Sequence, residues 1–155
     1  MLLTLGDEAV NIKEQLYRPV QLLLRDLSAY FGIQATDGRM QVLELTKSNA
    51  MSASVANFVV NILEDVGKLR VQNHLRANKE NDFLVLDKKN ARTGDVVANL
   101  KDLQQVSACL DRLGRLKTLT ERFIGDYALQ QKGDASQFFS SKPKNPFTGD
   151  VSSLT

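Results

Sequence analysis

The chain has 155 residues, of which 43% are hydrophobic and 25% charged, and its formal net charge is +2. This length predicts one domain with a hydrophobic core, and this composition argues against a disordered chain. The net charge alone does not require a nucleic-acid or membrane partner. The sole cysteine, Cys109, excludes an intramolecular disulfide. No signal peptide and no membrane-spanning apolar run is found, so we expect a cytoplasmic protein with no membrane partner.

The first predicted helix begins near Thr4, because Thr4 and Asp7 have the spacing of a capping box. Pro19 lies inside the helical pattern, so we expect a kink, or two short helices that meet near Arg18. The apolar residues recur at intervals of three or four positions, the period of one helix face: Ile12, Leu16, Val20, Leu23, Leu27 and Tyr30. The face is unusually broad at Leu22 to Leu24, which predicts burial on more than one side.

A second long helix is predicted from a cap at Ser48–Asn49 towards Arg76. Residues 41–46, just before it, fit either a helix start or a short extended piece. Residues 83–86 form a short apolar run, which we expect to lie extended over the bundle because a lone strand lacks hydrogen-bond partners. A hairpin between residues 41–46 and 83–86 is the alternative.

The helix predicted from Gly94 to Gln131 organises the rest of the chain, with Asp95 as its N-cap. Gly114 interrupts the pattern without changing its phase, which favours one helix with a soft point over two antiparallel helices. The apolar stripe consists of residues three or four positions apart: Val96, Leu100, Leu103, Val106, Leu110, Leu113, Leu116, Thr120, Phe123 and Tyr127.

Residues 132–155 have no helical period and hold two glycines, two prolines and five serines. We therefore predict a helical bundle domain over residues 1–131 and a flexible tail over residues 132–155. The fold class is all-α, an up-and-down bundle of three to four helices.

Two short motifs occur in the predicted tail. Asn145-Pro146-Phe147 is a tripeptide that adaptor domains recognise in some eukaryotic trafficking proteins. Thr-Gly-Asp-Val occurs at residues 93–96 and again at 148–151. One hypothesis is that the tail imitates the start of the organising helix and competes for its contacts.

The sequence offers little for catalysis. One histidine and one cysteine cannot form a Cys/His zinc site, and neither a phosphate loop nor a dinucleotide-binding turn is found. We expect His74 to be a surface residue near helix-terminal carbonyls, and Cys109 to be a buried, small apolar residue. No catalytic residue, cofactor or metal is therefore assigned, and an enzyme is the least favoured class.

The favoured function is a non-catalytic helical interaction module, such as an adaptor, assembly factor or small chaperone. It would bind a partner protein, or a second copy in a homodimer, through an apolar helix face. The candidate binding residues are the apolar margins of the two helices and the phenylalanines of the tail: Leu22, Leu24, Val59, Leu63, Phe138, Phe139 and Phe147.

The alternative function is nucleic-acid binding by a basic segment. Residues 67–92 carry seven basic and three acidic side chains. Basic side chains on one face could contact phosphates, and such binding weakens as the salt concentration rises. The candidates are Lys68, Arg70, Arg76, Lys79, Lys88, Lys89 and Arg92.

Overall fold

The computed structural model describes residues 9–129 and 144–154, and most of these residues are helical. The described α-helices are α1 (Arg18–Tyr30), α2 (Gly38–Lys47), α3 (Ala53–Ala77) and α4 (Leu100–Arg122). Two strands of three residues each, β1 (Ala9–Asn11) and β2 (Phe83–Val85), pair in an antiparallel ladder. The predicted all-α class, with three to four helices, is confirmed for this part of the chain.

Helical structure begins with a π-helical segment, Ile12–Tyr17, which leads directly into α1. Asn11 caps the segment, since its Oδ1 accepts a hydrogen bond from the Glu14 N–H. The Arg18 N–H bonds the carbonyl of Lys13, five residues back, before the α-helical pattern starts. The type of helix therefore changes at Arg18, beside Pro19, where the sequence predicted a kink. The predicted capping box at Thr4 and Asp7 lies outside the described residues.

Residues 41–46 lie in α2, so the alternative hairpin with residues 83–86 is wrong. Asp37 caps α2 by accepting a hydrogen bond from the Met40 N–H at 3.1 Å. The next helix, α3, starts at Ala53, five residues after Ser48 of the predicted Ser48–Asn49 cap. Its N-terminal cap is Ser52, whose Oγ accepts from the Val55 N–H at 3.2 Å.

The apolar run at residues 83–86 contains a true strand. Leu84 of β2 faces Val10 of β1 in the ladder, and Val85 forms a parallel bridge with Val97 on its other side. The expectation of an unpaired extended segment is corrected, because the N-terminal residues that supply the partner strand had been assigned to the first helix. Backbone pairing satisfies polar groups that a packed but unpaired segment would leave open.

The last helix, α4, runs through Gly114 without a break and is followed by a π-helical segment, Phe123–Ala128. One helix was the preferred prediction and is confirmed, and two antiparallel helices are excluded. The predicted apolar stripe is out of phase at the start of α4, where Leu100 and Leu103 are exposed. The buried residues of α4 and the segment after it also have helical spacing, but their series starts at Asp102. They are Asp102, Val106, Cys109, Leu116, Leu119 and Phe123.

The chain divides into two compact units. The first unit comprises Met1–Leu22 and Asn61–Leu113, and the second comprises Leu23–Val60 and Gly114–Thr155. Buried aliphatic side chains form the core of the first unit, among them Val10, Leu16, Val20, Ile62, Val66, Leu69, Leu84 and Val106. The second unit has its own buried set, which includes Leu24, Leu27, Leu45, Val55, Val59, Leu119, Phe123 and Phe147.

The predicted flexible tail falls in two parts. Residues 130–143 lie outside the described residues. Residues 146–148 and 151–154 form short 3₁₀-helices, and Phe147 is completely buried. Within the predicted tail, Phe147 thus belongs to the buried set of the second unit, and burial of a phenylalanine stabilises the residues around it.

Candidate partner-binding surface

A charged contact joins α3 and α4 in the first unit. The Arg76 guanidinium donates two hydrogen bonds to the Asp102 carboxylate, at 2.5 and 2.8 Å. Asp102 also caps α4 reciprocally with Asn99: Asp102 Oδ2 accepts from the Asn99 N–H at 2.9 Å, and Asn99 Oδ1 accepts from the Asp102 N–H at 2.8 Å. Asn99, and not the predicted Asp95, is the N-cap of α4. The buried Asp102 carboxylate thus holds the end of α3 against the start of α4.

Each of these two helices also carries exposed apolar side chains close in sequence to the ion pair. Leu75 precedes Arg76 and is 75% exposed, and Leu100, two residues before Asp102, is 72% exposed. Val71 lies one helical turn from Leu75, and Leu103 lies one turn from Leu100, so each pair is contiguous on its helix. We name these four residues, Val71, Leu75, Leu100 and Leu103, the leucine surface.

Lysines lie next to the leucine surface along both helices. Lys68 is one turn before Val71, Lys79 follows the end of α3, and Lys101 follows Leu100. All three lysines are exposed, and none takes part in an ion pair identified among the described residues. The leucine surface is therefore an apolar area with a positively charged margin.

A second polar cluster lies on the same helix, α3, in the first unit. Arg70 forms an ion pair with Asp82, with 2.7 Å between Arg70 Nε and Asp82 Oδ1, and its guanidinium lies over the Tyr17 ring. His74 Nε2 is 3.5 Å from the same carboxylate oxygen. His74 is therefore half-buried beside a carboxylate, and its expected place at helix-terminal carbonyls is corrected. Asn73 donates to the backbone carbonyls of residues 81 and 83, which fixes the loop that leads into β2.

The buried Asp102 and the half-buried Asp82 are held in their charged form. The hydrogen bond from Arg76 lowers the pKa of Asp102 below its ordinary value, although burial acts in the opposite direction. Burial alone raises the pKa of Asp82, but the interactions with Arg70 and, to a smaller extent, with His74 together lower the pKa overall. Each carboxylate is a structural partner of an arginine at neutral pH.

The residues predicted to bind a partner are dispersed in the structure. Leu22 is exposed and Leu63 half-buried, in the first unit. Leu24, Val59 and Phe147 are fully buried in the second unit, so they offer no surface to a partner in this conformation. Neighbouring parts of their own chain cover these three side chains. Phe138 and Phe139 lie outside the described residues.

The predicted basic segment is partly neutralised within the chain. Arg70 and Arg76 are bound to Asp82 and Asp102, which leaves less positive charge for phosphate groups. The remaining candidates are exposed: Lys68, Lys79, Lys88, Lys89 and Arg92. Lys88 and Lys89 lie in a 3₁₀-helix that Asp87 caps, so a carboxylate is close to them.

Nucleophilic and metal-binding groups are sparse in residues 9–129 and 144–154. Cys109 is buried as predicted, and burial, with a smaller effect of Asp65, raises the pKa of its thiol and disfavours the reactive thiolate. Within these ranges no three His, Cys, Asp or Glu side chains converge on a point where they could hold a metal ion.

The sequence analysis missed the exposed residues of the leucine surface. Leu75 and Val71 fall outside the apolar stripe of α3, and this departure was the available signal. The apolar pattern places Leu100 and Leu103 in the buried stripe, because a pattern of apolar residues cannot predict that the charged Asp102 is buried. The compensating Arg76 lies 26 residues away in sequence.

Comparison with protein-family models, with curated proteins and with solved structures finds no match to this chain. Among the helices of the described residues, none combines the length and the apolar character that crossing a membrane requires.

Proposed function

We propose that this protein is a non-catalytic interaction module that binds an amphipathic helix of a partner protein on the leucine surface. The observation that carries the proposal is the exposure of Leu75 and Leu100, the most exposed of the large hydrophobic side chains in the described residues, on the two helices that the Arg76–Asp102 ion pair joins. Apolar side chains that are neighbours on a helix and remain exposed indicate a binding site.

The ion pair supports this proposal because it gives the surface a fixed geometry. Arg76 and Asp102 join the two helices that carry the leucines, so less conformational freedom is lost on binding. The lysine margin defines the charge of the partner. We expect acidic residues beside the apolar stripe of the bound helix, since complementary charge favours encounter and orientation.

We also propose a cytoplasmic location and adaptor or assembly activity without catalysis. The single buried Cys109 is compatible with a reducing compartment, where thiols stay unpaired. A second copy of the chain is a less favoured partner, because two lysine margins would face each other in a homodimer.

Affinity capture from source-cell lysate, with nuclease present, tests the proposal with matched variants. The test variant carries Leu75→Ser and Leu100→Ser, and the control carries Met40→Ser and Leu43→Ser, which are exposed side chains of α2. We expect the wild-type chain and the control to retain one protein that the test variant loses. A photo-crosslinker at residue 75 should attach to a helix of that protein with flanking acidic residues.

Three results would contradict the proposal. The first is capture that the test variant retains in full. The second is capture of the chain itself as the sole partner. The third is capture that nuclease abolishes and that substitution of Lys88, Lys89 and Arg92 reduces, with a steep loss between about 50 and 200 mM salt. This last result would support the alternative nucleic-acid function.

A further inference from the structure

The segment Asn145–Val151 is bound in the second unit by residues almost 100 positions earlier. Asn145 Nδ2 donates to the Ala50 carbonyl at 2.8 Å. The Ser52 N–H donates to the Phe147 carbonyl at 2.9 Å, and Ser52 Oγ donates to the Gly149 carbonyl at 2.7 Å. Ser54 Oγ accepts from the Val151 N–H at 3.2 Å. The loop between α2 and α3, together with the first turn of α3, therefore forms hydrogen bonds with the backbone of this segment. The loop also accepts a hydrogen bond from the side-chain amide of Asn145.

An aromatic site in the same unit receives Phe147. Its side chain is completely buried, and its ring centroid lies 5.4 Å from that of Phe123. Phe123 in turn contacts the rings of Tyr30, Phe31 and Tyr127. A phenylalanine in such surroundings supplies a large apolar contribution and specific ring contacts, so Phe147 is the anchor of the segment.

The bound segment also holds its own shape. Asn145 Oδ1 accepts a hydrogen bond from the Phe147 N–H at 2.9 Å, and the Asn145 carbonyl accepts from the Thr148 N–H at 3.1 Å. Pro146 fixes one backbone angle between them. Part of the ordering of this turn is thus local to four residues, and a short peptide with the same sequence keeps that advantage.

We propose that the second unit carries a peptide-binding site for an Asn-Pro-Phe turn, which the chain's own residues 145–151 occupy and which the same motif of another protein can occupy by displacing them. Three features give the site its specificity: the Ala50 carbonyl for the asparagine amide, the ring of Phe123 for the phenylalanine, and Ser52 for the backbone that follows. The site is separate from the leucine surface, and neither proposal depends on the other.

Covalent attachment strengthens occupation by the chain's own segment. Fourteen residues, 130–143, connect α4 and its π-helical segment to Lys144. Because the segment is part of the same chain, a free peptide must compete against an effective concentration on the order of millimolar. Binding from outside should therefore be weak in the wild-type chain and stronger once its own segment is impaired.

Fluorescence anisotropy with a labelled synthetic peptide of residues 144–154 tests the proposal on the full-length chain. A Phe147→Ala chain should bind this peptide at least about tenfold more tightly than the wild-type chain does, because the competing segment has lost its anchor. A peptide with Phe147→Ala and one with Asn145→Ala should bind the same chain at least about tenfold more weakly. Circular dichroism confirms that the chain used is folded.

A second form of the chain keeps the test decisive should Phe147→Ala unfold the protein. A specific protease site is inserted after Ala135 in the otherwise wild-type chain, which is then cleaved, so that the segment is held without a covalent link. Labelled wild-type peptide should exchange into the cleaved chain, and the Phe147→Ala peptide should not. Absence of exchange, or equal uptake of both peptides, would overturn the proposal.

Discussion

The two units use different kinds of interaction to hold together residues that are far apart in the sequence. In the first unit, arginines bind aspartates between elements: Arg76 with Asp102, and Arg70 with Asp82. In the second unit, a buried phenylalanine and hydrogen bonds to main-chain carbonyls hold the C-terminal segment. The stability that an ion pair contributes depends on pH and falls strongly when one partner is removed. The stability that a buried apolar side chain contributes depends mainly on the volume that a truncation removes. The two regions should therefore fail under different conditions.

The largest effect is expected from Phe147→Ala in the second unit. Truncation of a fully buried phenylalanine costs about 3 to 5 kcal/mol of unfolding free energy, since apolar contacts are lost and a cavity remains. The measurement is urea unfolding at neutral pH. The matched control is Phe83→Ala in the first unit, where the same change at a 58% exposed side chain should cost about 0.5 kcal/mol. Equal losses in the two variants would contradict the role of Phe147 as an anchor.

The next largest effect is expected from Asp102→Asn in the first unit. The variant removes the charge that Arg76 requires and weakens the cap of α4, and we expect a loss of about 2 to 4 kcal/mol. The expected loss of unfolding free energy is smaller than for a fully buried ion pair, because the Arg76 side chain remains 36% exposed. Thermal and urea unfolding measure the loss.

Glu121→Gln is the matched control for that charge change. Glu121 lies 3.9 Å from Lys117, and both side chains are more than half exposed. We expect a change below about 0.5 kcal/mol, as for other exposed pairs. Were the control to cost as much as Asp102→Asn, the stability would follow net charge instead of the buried contact between α3 and α4.

Helix periodicity predicted much of the fold but lost accuracy where polar residues turn inward. The stripes of α1 and α3 and the continuity of α4 through Gly114 were readable, because apolar residues dominate those faces. The predicted buried face at the start of α4 was wrong, because Asp102 is buried there with an ion-pair partner from another helix. The pairing of β1 with β2 was missed for a similar reason, since its hydrogen bonds join residues about 75 positions apart.

The repeated Thr-Gly-Asp-Val sequence shows the same limit for the candidate sites. Gly94 in the first copy has a φ of 90°, a conformation that favours glycine, whereas Gly149 in the second copy has a φ of −85°. The first copy leads to Val96, whose carbonyl accepts from the Val85 N–H, and the second lies against Ser52 and Ser54. Four shared residues thus take their structure from their surroundings, and neither site could be derived from the motif alone.

The smallest effect expected is a loss of stability in acid, to which Asp82 and Asp102 of the first unit contribute together with Asp150 of the second unit, whose pKa is lowered by hydrogen bonds from Ser152 and Ser54. The pKa values of Asp82 and Asp102 are lower in the folded chain than in the unfolded chain, so folding is favoured by deprotonation of both groups. Their contribution is fully present above the unfolded pKa of about 4 and declines as the pH falls through the lower folded values. Urea unfolding at pH 7, 5, 4 and 3 should show a stability that declines as the pH falls below about 4. Asp102→Asn should remove its share of that slope, whereas Phe147→Ala should lower stability at every pH and keep the share that Asp82 and Asp102 contribute. An unchanged slope in Asp102→Asn would mean that the buried pair does not cause the acid sensitivity.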